Sequence, residues 1–157
     1  MAKKTSIGLS AKKSSELADK INDLLADYQI FYQNTRGFHW NIKGEKFFEL
    51  HAKFEELYNN LILKIDELAE RILTLGYSPL HSYSDYLQRS TVKPVKDVSD
   101  GPMAVASIVE SFAEILFKER EILNMSAEMD DEGTNALMSD YIREQEKLVW
   151  MYTSFLG

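Results

Sequence analysis

Residues 47–75 read FFELHAKFEELYNNLILKIDELAERILTL, and this one run decides the fold and points to a site. Phe47, Leu50, Phe54, Leu57, Leu61, Ile65, Leu68, Ile72 and Leu75 recur in steps of three and four, the spacing of an apolar helix face. Gly76 follows and Pro79 comes soon after. A glycine accepts the left-handed turn that ends a helix, and a proline cannot continue one. The spacing therefore predicts a helix over 46–75.

The same run carries four side chains of metal-ligand type, His51, Glu55, Asp66 and Glu70. Their positions are symmetric about a point between Asn60 and Leu61, with His51 and Glu70 outermost and Glu55 and Asp66 inside them. At about 1.5 Å of rise per residue the outer two lie nearly 30 Å apart along the axis. One helix cannot bring them together. Two antiparallel copies related by a twofold axis through the midpoint can, setting His51 and Glu55 of one chain against Glu70 and Asp66 of the other.

Projected at about 100° per residue, the helix has two further faces. Glu49, Lys53, Glu56, Asn60, Lys64, Glu67 and Arg71 form one, expected to be exposed. Phe48, His51, Glu55, Tyr58, Ile62, Asp66, Ala69, Glu70 and Leu73 form the other, where large apolar and ionisable groups alternate. That mixture suits a buried interface holding paired charges or a metal. Charges that only set pairing specificity are the alternative, and Asp66 and Glu70 could also pair with Lys64 or Arg71 on the helix surface.

Working outward, Leu17, Ile21, Leu24, Tyr28, Phe31 and Phe38 predict a first helix over 14–38, closed by the turn at 41–44. A crossover over 78–98, with a short helical piece at 82–87, leads to a cap at Ser99 and Asp100 and a helix to about Met129 through Val105, Ile108, Phe112, Ile115, Leu116, Ile122 and Leu123. A last helix follows Gly133 through Leu137, Tyr141, Leu148 and Phe155, with Trp150 and Met151 expected in the core. No strand pattern occurs. The expected fold is all-α, a four-helix bundle with one long connection between the second and third helices, as in ferritin-like folds. Domain boundaries are expected at 1–13, a flexible basic tail, and 14–157, the bundle.

His39, followed by Trp40, falls at the end of the first helix. A short turn makes the first two helices antiparallel, which can bring His39 beside His51. Two imidazoles from one subunit would then meet carboxylates from both, a nitrogen and oxygen set that suits iron and also admits zinc, manganese or cobalt. His81, beside Pro79, has no partner pattern and reads as a loop residue.

Charge and composition narrow the function classes. The chain has no cysteine, which excludes thiolate zinc sites and iron–sulfur clusters. With 18 Lys and Arg against 25 Asp and Glu, it has a net charge of −7. Lys3, Lys4, Lys12 and Lys13 gather in the first thirteen residues without an acid, so the body is more acidic still. Such a body is a poor general nucleic-acid binder and a plausible host for cations. No apolar run of membrane-spanning or signal-peptide length is visible, and a cytoplasmic location is expected.

His39-Trp40, the run from Phe47 to Glu55, and Asp66-Glu-Leu-Ala-Glu70-Arg71 together resemble the signature of the Dps family, the miniferritins, over nearly the whole chain. The resemblance implies a hollow homododecameric shell that oxidises Fe(II) to Fe(III), preferentially with hydrogen peroxide although O2 is a possible oxidant, and stores ferric mineral. It implies dinuclear ferroxidase sites between twofold-related subunits, with His39, His51 and Glu55 from one chain and Asp66 and Glu70 from its neighbour. Trp40 would lie beside the site. Glu55 is a departure, since many members have Asp there. The family name raises a second function, binding of DNA in the nucleoid through Lys3, Lys4, Lys12 and Lys13. The Glu-x-x-His motif with which classical ferritins build a site inside one bundle is missing.

Overall fold

The structure, a computed structural model, describes all 157 residues. It contains five helices: α1 (Ala11–Asn41), α2 (Phe47–Thr74), α3 (Tyr83–Arg89), α4 (Gly101–Glu128) and α5 (Glu132–Leu156). The four long ones form the expected bundle and α3 is the helical piece of the crossover. Every start but that of α2 is chemically marked: Ser10, Ser82, Asp100 and Asp131 each accept a bond from the backbone N–H three residues on.

The helices pair as antiparallel hairpins. Gly44, with φ of 108°, makes the turn between α1 and α2, and Gly76, with φ of 99°, ends α2. The α4/α5 turn uses Asp130 at φ of 59°, one of the few side chains that tolerate this region. The start of α4 lies against the start of α2: the Lys43 N–H donates to the Ser99 carbonyl, and Gly101 leaves no room for a Cβ beside Leu50. The crossover therefore runs back along the full length of the bundle.

Buried Asp27 holds that crossover in place. One of its oxygens accepts from the Ser90 hydroxyl at 3.0 Å and the Thr91 N–H at 2.8 Å, and the other from Lys118 at 2.6 Å. Tyr28, Phe31, Phe54 and Phe112 are the largest fully buried side chains between the long helices.

Three expectations are corrected. Only part of the α2 face expected to be exposed is so: Glu49, Glu56 and Glu67 are exposed, but the face also meets α5, where Lys64, 4% exposed, bonds Asn60 and Glu144, Tyr141 donates to Glu67, and Arg71 bonds Asp131 and Thr134. Long basic side chains reach inward along this seam with their charges paired. On α5, Trp150 is 64% exposed and Met151 is exposed, while Met138, Tyr141, Gln145 and Tyr152 are buried. A polar residue in the buried stripe hid its phase. Finally, α1 starts at Ala11, so Lys12 and Lys13 belong to its first turn. The Lys3 carbonyl accepts from the Ala11 N–H and the Leu9 carbonyl from the Thr5 N–H, closing residues 3–11 into a loop.

Candidate metal centre

His39 sits in the last turn of α1 and His51 in the second turn of α2, brought together by the short hairpin. The Nδ1 of His39 lies 2.6 Å from the His51 carbonyl oxygen, and the Nδ1 of His51 lies 2.7 Å from the His39 carbonyl oxygen. A carbonyl can only accept, so each Nδ1 carries the proton and donates. Nε2 is therefore the atom of each ring that offers its lone pair when a metal takes the place of a proton.

The two rings are stacked, with centroids 3.8 Å apart and planes 10° from parallel. Phe47 stacks on the other side of His51 at 4.9 Å, and Tyr58 sets its ring edgewise against His39 at 5.4 Å. Tyr32 lies edgewise to Tyr58 in turn. This aromatic column fixes the orientation of both imidazoles. Phe47 and Tyr58 had a legible signal, one being four residues before His51 and the other in the mixed band.

Glu55, Asp66 and Glu70 are all exposed on the outer side of α2. Lys64 and Arg71, the cations that could have neutralised Asp66 and Glu70, turn instead to Glu144 and Asp131. Within the chain no group of three or more His, Cys, Asp or Glu is arranged to hold a metal ion. His39 and His51 meet; the three carboxylates do not join them inside one protomer. Around the carboxylates the surface is apolar, with Phe48 79%, Leu63 65%, Leu73 57% and Ile62 exposed.

Trp40 is exposed at the end of α1, with the Arg36 guanidinium 4.8 Å above its ring. His81 is an exposed loop residue, as expected. Lys3, Lys4, Lys12 and Lys13 are all exposed.

A second polar cluster, invisible in the sequence, lies in the bundle interior. Tyr28 donates to the fully buried Glu119 carboxyl at 2.6 Å, and the Gln145 amide bonds the Tyr28 hydroxyl on the other side. Burial pushes the Glu119 carboxyl up to about 8, against the opposing pull of bonds from Tyr28 and Gln145 and of the Lys64 and Arg120 charges. Burial also raises Tyr28 well above the usual phenol range.

Residues 18–157 match the ferritin-like domain family. The DNA protection during starvation protein of Porphyromonas gingivalis is 40% identical over 148 residues, covering 94% of this chain and 93% of that protein. Among solved structures, a Dps protein from Vibrio cholerae O1, described as a member of a broad superfamily of ferritin-like diiron-carboxylate proteins, superposes with a TM-score of 0.98. It is 56% identical, and the match covers 100% of this chain and 98% of that one. A Dps protein from Bacillus brevis gives a TM-score of 0.90 at 32% identity, covering 93% of this chain and 98% of its own. The chain belongs to the Dps family of ferritin-like proteins.

Proposed function

We propose that this protein is a ferroxidase and iron store that assembles as a dodecameric shell and takes Fe(II) as substrate at sites shared between twofold-related subunits. The observation that carries the reading is the reciprocal bonding of His39 and His51, which frees both Nε2 atoms for metal, while Glu55, Asp66 and Glu70 stay exposed on α2 without a cation. His39, His51 and Glu55 come from one subunit, and the partner's Asp66 and the partner's Glu70 complete the set.

Ring geometry supports two ions per site. A metal lies near the plane of the imidazole that binds it, and two parallel planes separated by a ring stack cannot both contain one ion. Each histidine then serves its own ion, and the 3.8 Å stack matches the spacing of about 3.5–4 Å in two-metal centres. Hard carboxylate oxygens favour Fe(III) over Fe(II) and so draw the electrons toward the oxidant. With peroxide, two Fe(II) each lose one electron, the O–O bond breaks, and two protons complete two waters. Because both electrons leave together, no hydroxyl radical is released. Zinc fits the same donors and would occupy the site without turnover.

Mixing Fe(II) and peroxide under anaerobic conditions and following ferric absorbance tests the reading. Wild type should oxidise iron rapidly and the His51→Ala, Asp66→Ala double variant should not; equal rates overturn it.

The four exposed lysines favour a second reading, DNA binding through multivalency across many subunits. Replacing Lys3, Lys4, Lys12 and Lys13 together with Gln should then abolish a gel shift at low salt and leave iron oxidation intact. Retained DNA binding would argue against that role for the lysines.

A further inference from the structure

The mirror relation that pairs His51 with Glu70 and Glu55 with Asp66 also holds for side chains with no metal chemistry. Phe48 lies three residues before His51 and Leu73 three after Glu70, so the two share the midpoint between Asn60 and Leu61. Both are large, apolar and exposed, at 79% and 57%. At about 100° per residue, Phe48, Glu55, Asp66 and Leu73 all project within about 10° of one direction, the one that faces the axis. Nearer the midpoint, Tyr58 follows Glu55 by three residues and Leu63 precedes Asp66 by three. Leu63 is 65% exposed, and Tyr58 already lies against the His39 ring.

We propose that Phe48 packs on the partner's Leu73 and Tyr58 on the partner's Leu63, so that apolar pairs close the outer and inner ends of each shared metal site. The inference rests on the reading of the site as divided between two subunits. A second copy of this chain is the occupant, because every exposed apolar side chain invoked has its complement at the mirrored position of the same helix. A twofold contact makes each pair twice. Closing the ends removes water from around the carboxylates, which strengthens their hold on a cation.

The chain has no cysteine, so introduced thiols report the register directly. In the full-length protein held metal-free with chelator, diamide should link F48C/L73C into covalent dimers. Neither single variant should link, since the two copies of residue 48 stand about 37 Å apart along the axis, far beyond disulfide reach. H51C/E70C serves as the reference for the site itself. If that pair links and F48C/L73C does not, the apolar pairing is overturned while the shared site stands. If neither links, both fail.

Closure has its own measurement. With Zn(II) in the site and a chelator added, Phe48→Ser should release metal about tenfold faster than wild type, and Phe48→Leu within about twofold of it. Equal release from Phe48→Ser and wild type would overturn the sealing role.

Discussion

His39 and His51 each bond the backbone carbonyl of the other, at 2.6 and 2.7 Å, so the two residues set one another's tautomer without help from any third side chain. Each acceptor is backbone, and it survives substitution of the side chain it belongs to.

Replacement of His51 by Ala therefore leaves the His39 Nδ1 bond in place and removes one metal-binding nitrogen. Zn(II) titration calorimetry should show two ions per chain in wild type and one in His51→Ala. The stability change should be modest, about 1–2 kcal/mol for a lost hydrogen bond and ring stack. Two ions retained by the variant would contradict the assignment of one imidazole to each.

Glu119 gives the protein a pH dependence of known sign. An unfolded chain releases this proton near 4.5, while the folded chain holds it to about 8. Between those values the native state binds more protons, so stability falls as pH rises and levels off above about 8. The change is on the order of a few kcal/mol. Urea denaturation at pH 5 to 9 should show this decline in wild type and a flatter profile in Glu119→Gln; identical profiles would contradict it.

Asp27 predicts a stability effect separate from the metal centre. Asp27→Ala strands Lys118, 17% exposed at its side chain, and frees Ser90 and Thr91 of the crossover. Breaking a buried pair in this way should cost about 3–5 kcal/mol by chemical denaturation, with Zn(II) stoichiometry unchanged in the folded protein. A loss below about 1 kcal/mol would show that the crossover is held elsewhere.

The long helices were legible because their apolar spacing is dense and their ends carry Gly, Pro, Ser or Asp caps. His39 beside His51 was legible too, since a short turn leaves the chain little choice. Which face of α2 meets α5 was not: Lys64 and Arg71 look like surface residues until Glu144 and Asp131 are seen opposite them. Gln145 and Glu119 interrupt otherwise apolar stripes, so the buried cluster around Tyr28 left no pattern to find. Glu55, Asp66 and Glu70 show a different limit. Their symmetry was readable, but one chain does not show what it does, and the proposed function makes that depend on a second chain.

Complementation between two inactive variants tests that dependence most directly. Chains with His51→Ala and chains with Asp66→Ala are each defective at both sites of their own dimer. Paired with one another, they make one site that lacks both residues and one that has every residue intact. Random co-assembly puts half the dimers in the mixed class, so about a quarter of wild-type Fe(II) oxidation should return. Activity no higher than in the separate variants, in particles shown by mass to contain both chains, would contradict a site divided between subunits.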